Sequence, residues 1–274
     1  MTAKSMLLVP DAIKQVLTGE DVFDGVMGLQ GKAFRDVKGR RTIQVSLNGR
    51  SYFVKQHFGV GWREILKNLF SFKKPVLGAM TEVEAIKKLA LIGISTTPLI
   101  GYGVKGINPA TQQSFLITED LGDIVSLEDL CANWKQNPPD PALKVGIITA
   151  LAQLAAKLHG AGMCHRDFYL CHFVMRASEL AEGKVNLILI DLHRMLLGQS
   201  SHGNAVMKDI AGLVFSAMDC GFTEEDWLLF RRHYLPQSGA FWLEVEARAQ
   251  KLYAKFNSAR FQNRLAKEKS LIQQ

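Results

Sequence analysis

Cys164-His165-Arg166-Asp167-Phe168-Tyr169-Leu170-Cys171-His172-Phe173 is followed, a short way on, by Val185-Asn186-Leu187-Ile188-Leu189-Ile190-Asp191-Leu192-His193-Arg194. A His-Arg-Asp triplet, a polar side chain five residues beyond its Asp, and a second Asp closing an apolar β-type run are the parts that phosphoryl transfer requires. The reason is chemical. One carboxylate, Asp167, must accept the proton of an attacking hydroxyl. The other, Asp191, must hold magnesium against nucleotide phosphates, and His172 stands where a further metal ligand is expected. Such a reaction asks for positioning and charge neutralisation more than for covalent chemistry, so the pair suffices if the nucleotide is gripped elsewhere. His-Arg-Asp alone recurs by chance; the apolar run and Asp191 behind it supply the context.

Upstream of this stretch, a helix is expected from about Ala142 to His159, burying Ile148, Leu151, Ala152, Ala155 and Leu158, with Gly160 and Gly162 ending it. Downstream, Lys208-Asp209 opens another helix, where Asp209 can cap the helix or bond the backbone of the catalytic stretch. From Thr223 onward the chain is helical and increasingly basic. The N-terminal part is of a different kind. Short helical turns over Asp11 to Leu29 precede a strand, Lys32 to Val37, and two alternating runs, Arg41 to Leu47 and Arg50 to His57, joined by Asn48-Gly49. That dipeptide accepts the positive φ a two-residue hairpin needs. Lys55, late on the returning strand, can reach the α- and β-phosphates of a nucleotide. The helix from Ala79 to Ile92 offers Glu82 in its first turn, with Glu84 as a rival, to hold Lys55 extended. Two further strands, Pro98 to Val104 and Ser114 to Leu121, end in Thr118-Glu119-Asp120-Leu121-Gly122, where the backbone of Glu119 and Leu121 can meet an adenine. The architecture is α+β, a two-lobed protein-kinase-like fold. Residues 1–121 form a small antiparallel-sheet N-lobe with an N-terminal helical extension, and residues 122–274 a mainly helical C-lobe.

Of 274 residues, 47% are hydrophobic and 22% charged, a balance that supports a buried core. The stretch Val145 to Ala156 is interrupted by Thr149 and Gln153, and Met6 to Val9 is too short for a signal-peptide core, so a cytosolic chain with reduced Cys131, Cys164, Cys171 and Cys220 is expected. The net charge of +7 favours an anionic partner without choosing among nucleic acid, membrane or phosphorylated substrate. No nucleic-acid motif accompanies it, so no nucleic-acid role is expected. Trp62, Ile65, Leu66, Leu69 and Phe70 share a helical face near Lys73-Lys74. That face is either a membrane-surface element or an ordinary packed helix.

His165 to Phe173, Ile190-Asp191-Leu192-His193-Arg194 and Lys208-Asp209-Ile210-Ala211 resemble the lipopolysaccharide core heptose(I) kinase family of Gram-negative bacteria (the RfaP/WaaP type). So do Tyr52-Phe53-Val54-Lys55, Gly59-Val60-Gly61-Trp62 and Pro75-Val76-Leu77-Gly78-Ala79. The similarity runs from about residue 20 to 255. It implies ATP- and Mg2+-dependent phosphorylation of the first heptose of the inner core, on the cytoplasmic face of the inner membrane, by a peripheral enzyme. It also implies Asp167 as base, Lys55 on the phosphates, Glu82 as its partner and Asp191 on magnesium. Acyl carrier protein is a partner through the resemblance alone.

Three features depart from protein kinases at large. No G-x-G-x-x-G precedes Lys55, so phosphate cover must come from a tighter turn near Lys38-Gly39-Arg40. His172 replaces the metal-ligating Asn, and magnesium prefers oxygen, so either one metal position is weak or His172 contacts phosphate or Asp191 instead. Asp191 is followed by Leu-His, and only a short segment separates it from Asp209, with no A-P-E. That favours a small-molecule or glycolipid acceptor over a protein. Rival readings are a zinc module built on Cys164-His165 and Cys171-His172, a nucleotide-binding scaffold without turnover, and a kinase acting on Kdo or an antibiotic. The cysteine spacing opposes the first, and the presence of Lys55, Asp167 and Asp191 opposes the second.

Overall fold

The computed structural model describes residues 6–18, 21–37, 39–59, 61–62 and 78–272, the last five of these in backbone only. The Trp62 to Phe70 face, Lys73-Lys74 and Lys38 therefore fall, apart from Trp62 itself, outside the described residues. The chain divides into two compact units, residues 1–122 with 188–195, and residues 123–187 with 196–274. Asp191 thus shares a unit with Lys55 and Glu82, a finer division than a single cut after Leu121.

The first unit is an antiparallel six-stranded sheet in the order β1-β5-β6-β4-β3-β2. Its strands are β1 (Met6–Leu8), β2 (Lys32–Val37), β3 (Arg40–Leu47), β4 (Arg50–His57), β5 (Leu99–Lys105) and β6 (Gln113–Glu119). The expected hairpin is β3–β4, and its turn residues Asn48 and Gly49 have φ of 51° and 74°, the twist that matches paired strands. Alternation sets the two faces. Ile43, Val45, Tyr52 and Val54 point to one side, where α1 (Asp11–Lys14) and α2 (Val22–Met27) bring Ile13, Phe23 and Val26 to complete a core. Buried Gln56 on that side donates through Nε2 to the carbonyls of Val26 and Met27, which satisfies the end of α2. β1 was not expected. It is a short edge strand that pairs Met6–Leu8 with Tyr102–Val104 of β5.

On the same unit, α3 (Met80–Leu91) buries Val83, Ala85, Ile86 and Leu89 and ends at Gly93, whose φ is 64°. It packs against β5 and the 3₁₀ turn Leu192–Arg194. The run before Asp191 is the two-residue strand β9 (Ile188–Leu189), fixed to this unit by a parallel bridge from Leu189 to Thr96.

The second unit contains the β7 (Ile124–Ser126) and β8 (Phe173–Arg176) pair and a set of helices. α4 (Leu127–Cys131) and α6 (Ala177–Ala181) are short. α5 (Pro141–Gly160) starts at Asp140, whose carboxylate accepts from the amides of Ala142 and Leu143, with Pro141 at the first helical position. By length and composition α5 alone among the described residues passes as a membrane span. Ile147, Ile148, Leu151, Ala152, Leu154, Ala155 and Leu158 are buried and the helix packs along α8 (Glu224–His233), as a core helix does. α7 (Asn204–Ala217) lies against α9 (Gly239–Phe256), and α10 (Ala259–Ile272) follows. The helix carrying Asp209 thus starts earlier than the Lys208-Asp209 reading had it. Asp209 is in its second turn and is no cap.

Candidate active site

In the first unit, Lys55 lies on the sheet face opposite the apolar core. Its Nζ donates to Glu82 Oε1 at 2.6 Å and sits 3.9 Å from Asp191 Oδ1. Glu82 is 4% exposed, whereas Glu84 faces solvent, so burial decides which acid holds the lysine. An early-turn position points the carboxylate back toward the sheet. Asp191 has φ 60° and ψ 56°, a left-handed conformation that a non-glycine residue adopts at a cost, and such strain gathers at functional positions. The turn lets His193 Nδ1 meet Asp191 Oδ1 at 2.6 Å, which fixes one carboxylate oxygen. The histidine on Asp191 in this unit is thus His193. The adjacent Leu-His was visible in the sequence, but its bond to Asp191 depends on a backbone conformation that nothing in the sequence announces.

Arg40 is a further member of this cluster. It is partly buried, and burial and the neighbouring Arg35 push its pKa below the ordinary arginine value while Asp191 and Glu82 oppose that shift. His57, 5% exposed, is pushed down to about 4 by burial first, then by Arg40, Lys55 and His193. It is neutral near pH 7. At the strand end, the Glu119 amide donates to Pro98 O at 3.0 Å, and Glu119 is exposed while Leu121 is 6% exposed. Asp120 accepts from Gln44 Nε2 (2.6 Å) and Ser51 Oγ (2.7 Å) and from the Gly122 amide, which ties this exit to the hairpin.

In the second unit, Asp209 organises the His165-Arg166-Asp167 stretch. Its two oxygens accept from the amides of His165 (2.6 Å) and Arg166 (2.8 Å), and Arg166 is held at φ 74°. His159 Nε2 lies 3.3 Å from Asp209, and His159 Nδ1 is 2.7 Å from the Tyr234 hydroxyl. Since the carboxylate only accepts, Nε2 carries the hydrogen and the tyrosine donates to Nδ1. Burial pushes the Tyr234 pKa up and that of Cys164 up to about 12, so both stay protonated. His159, Cys164 and Asp209 come within 4.8 Å of one another, but Asp209 is spent on backbone amides and Cys164 stays a thiol, a poor donor set for a metal. Gly212 of α7 brings that helix close to the loop, since a Cβ there would sit 3.3 Å from Phe168 O and 3.1 Å from the Tyr169 ring.

Asp167 is partly exposed, flanked by buried Phe168. His172 Nδ1 is 2.6 Å from the Asp167 carbonyl oxygen, an acceptor, so Nδ1 carries the hydrogen and the lone pair of a neutral ring is on Nε2. Cys171 borders an apolar cavity of about 610 Å³ together with Tyr169, Phe215, Tyr253, Phe256 and Phe261. All four cysteines are free thiols.

A buried lysine–glutamate pair beside a strained aspartate, and a His-Arg-Asp loop clamped by a second buried aspartate, are arrangements that phosphoryl transfer can use. The model of the lipopolysaccharide kinase (Kdo/WaaP) family matches residues 24–234. The chain belongs to that family. Among its relatives is the lipopolysaccharide core heptose(I) kinase WaaP of Pseudomonas aeruginosa, 40% identical over 256 residues, which span 90% of this chain and 96% of the relative. The WaaP of Escherichia coli K12 is 41% identical over 84% of this chain and 87% of its own. A solved structure described as WaaP in complex with acyl carrier protein superposes with a TM-score of 0.77 at 35% identity, covering 90% of this chain and 99% of that one. This lipopolysaccharide kinase family member is therefore an ATP-using phosphotransferase with a kinase-like α+β fold.

Proposed function

We propose that the protein transfers the γ-phosphate of ATP to a hydroxyl of the first heptose of the lipopolysaccharide inner core. The observation that carries the reading is the cluster in which Lys55 is fixed at 2.6 Å by buried Glu82 and stands 3.9 Å from Asp191, in a chain about 40% identical to heptose(I) kinases over nearly their whole length. In this reading Lys55 grips the α- and β-phosphates, Glu82 keeps it extended, and the backbone of Glu119 and Leu121 receives the adenine. The acceptor oxygen forms a bond to the γ-phosphorus as the bond to the β–γ bridging oxygen breaks. The acceptor's proton passes to the Asp167 carboxylate, and ADP leaves.

Asp191 is a hard oxygen donor that His193 orients, and it fits Mg2+. His172 offers only imidazole Nε2, which fits that ion poorly, so Asp191 would hold magnesium. Bound there, the ion neutralises phosphate charge. The acceptor is an anionic amphiphile, and the net charge of +7 would favour it electrostatically. A cytoplasmic-face, peripheral association with the inner membrane and an association with acyl carrier protein complete the proposal. The solved WaaP relative supports the latter.

The test is transfer of labelled γ-phosphate to lipopolysaccharide lacking inner-core phosphate. Label on the heptose with the wild type, and none with Asp167→Ala, is the expected result. ATP bound without any transfer would remove the heptose reading.

A further inference from the structure

We propose that Arg40, seconded by Arg35, is the phosphate clamp of this enzyme, a side-chain device standing where protein kinases drape a glycine-rich backbone. The inference rests on the ATP-using reading and adds a residue to it.

The turn between β2 and β3 is too short to fold over a polyphosphate. Val37 already pairs with Arg40, Gly39 turns the chain at φ 82°, and the Gly39 carbonyl accepts from the Phe58 amide at 2.9 Å, which ties the turn to the end of β4. The strand register supplies cations instead. Arg35 pairs with Thr42, Thr42 with Lys55, and Arg40 with His57 in the next rung. Directly opposed residues share a face, and Ile43 and Val45 occupy the other one, so Arg35, Arg40 and Lys55 project from one side of the sheet. Diagonal neighbours such as Arg40 and Lys55 lie within reach of a single polyanion.

Their pairing differs. Lys55 has Glu82. Arg40 has no carboxylate within ion-pair distance among the described residues, and its Nε is buried without a hydrogen-bond partner there. A partly buried guanidinium with an unspent N–H, beside a second arginine and a neutral buried His57 and offset only by Asp191 and Glu82 beyond ion-pair distance, favours a further anion. Arginine suits that anion, because its planar fork matches phosphate oxygens. The same face gives the direction of the ligand. Phe34, on the β2 bulge and 55% exposed, meets Phe53 edge-on at 5.1 Å, one rung beyond Lys55 and away from Arg40. The face therefore places two aromatic rings, with Lys32 Nζ over Phe34 at 5.2 Å, at one end and Arg35, Arg40 and Lys55 at the other, an order that suits a nucleoside followed by its phosphates.

The experiment is binding of adenosine, ADP and the non-hydrolysable β,γ-imido analogue of ATP to the full chain, by calorimetry, for wild type, Arg40→Gln, Arg40→Lys and Arg35→Gln. Arg40→Gln should weaken the imido analogue by about 10- to 100-fold and leave adenosine unchanged. Arg40→Lys should recover part of the loss, and Arg35→Gln should lose less. Equal affinities of wild type and Arg40→Gln for the imido analogue would overturn the clamp, as would an equal loss for adenosine. The heptose reading fails separately, when wild type binds the imido analogue and transfers nothing to lipopolysaccharide.

Discussion

Two clusters of acid and base side chains in this molecule look alike in composition and differ in what they leave unspent. Around Asp209, the carboxylate, an imidazole, a phenol and two amides close on one another, and His159, His165 and Asp209 are at most 1% exposed. Around Asp191, by contrast, the carboxylate side chain is 36% exposed, Lys55 22%, and Arg40 keeps an Nε unpartnered among the described residues. The first cluster is a fastening, since both Asp209 oxygens and both His159 nitrogens are bonded, and such a buried network specifies one conformation. The second is a receptor whose charges are arranged for a ligand. Burial and saturation, more than residue type, separate scaffold from site.

The contrast predicts opposite outcomes for substitutions of the same chemistry. Asp167→Ala should lower kcat by about 10²- to 10⁴-fold, with the melting temperature unchanged within about 2 °C, because a partly exposed carboxylate supports little of the fold. Steady-state kinetics and calorimetry on one preparation would check both halves. Asp209→Ala should act the other way round. It leaves the amides of His165 and Arg166 buried without an acceptor, and a loss of about 4 kcal/mol of stability is expected. At this chain length that corresponds to a melting point lower by roughly 10 °C. Equal thermal loss in the two variants would erase the distinction between a buried, saturated carboxylate and a partly exposed one.

The parts of the molecule were legible to unequal degrees. Asn48-Gly49 announced its hairpin, because only residues tolerant of positive φ serve there, and Asp167 and Asp191 stood in a recognisable spacing. Glu82 and Glu84 stayed rivals in the sequence, since helix periodicity alone does not say which early turn meets the sheet; burial does. β1 was unreadable, because Met6-Leu7-Leu8 becomes a strand only by pairing with β5, nearly a hundred residues away. The start of α7 was misplaced for a related reason. Gly203 precedes it with no side-chain cap, so no start signal marks Asn204. Arg40 needed the register between β2, β3 and β4, a non-local fact. His193 needed the left-handed turn at Asp191.

A third prediction probes the receptor's electrostatics through pH. His57 titrates at about 4 in the folded chain, against an ordinary 6.5. Its folded pKa is depressed, so as pH falls below 6.5 the unfolded chain takes up the proton first and stability drops until folded His57 itself titrates. The gap corresponds to about 3 kcal/mol, lost between pH 6.5 and 4 and flat below. His57→Gln should flatten that window in urea unfolding measured without nucleotide. Parallel curves for variant and wild type would show that burial and the cations beside it do not hold His57 neutral.

The smallest effect tests whether the fastening is one object or a sum of contacts. Tyr234→Phe keeps the ring, which stacks on Phe230 with centroids 5.6 Å apart, and removes only the hydroxyl that donates to His159. His159 Nδ1 is then a buried acceptor with no donor, worth about 1 kcal/mol, while Asp209 still receives its two amides. Urea unfolding should show that modest loss, and kcat should be unchanged. A loss as large as that of Asp209→Ala would mean that the hydroxyl sets the imidazole's orientation, and the imidazole the carboxylate's. The loop would then be held by the chain of bonds as a whole, and in the double variant the two losses would fall short of additive.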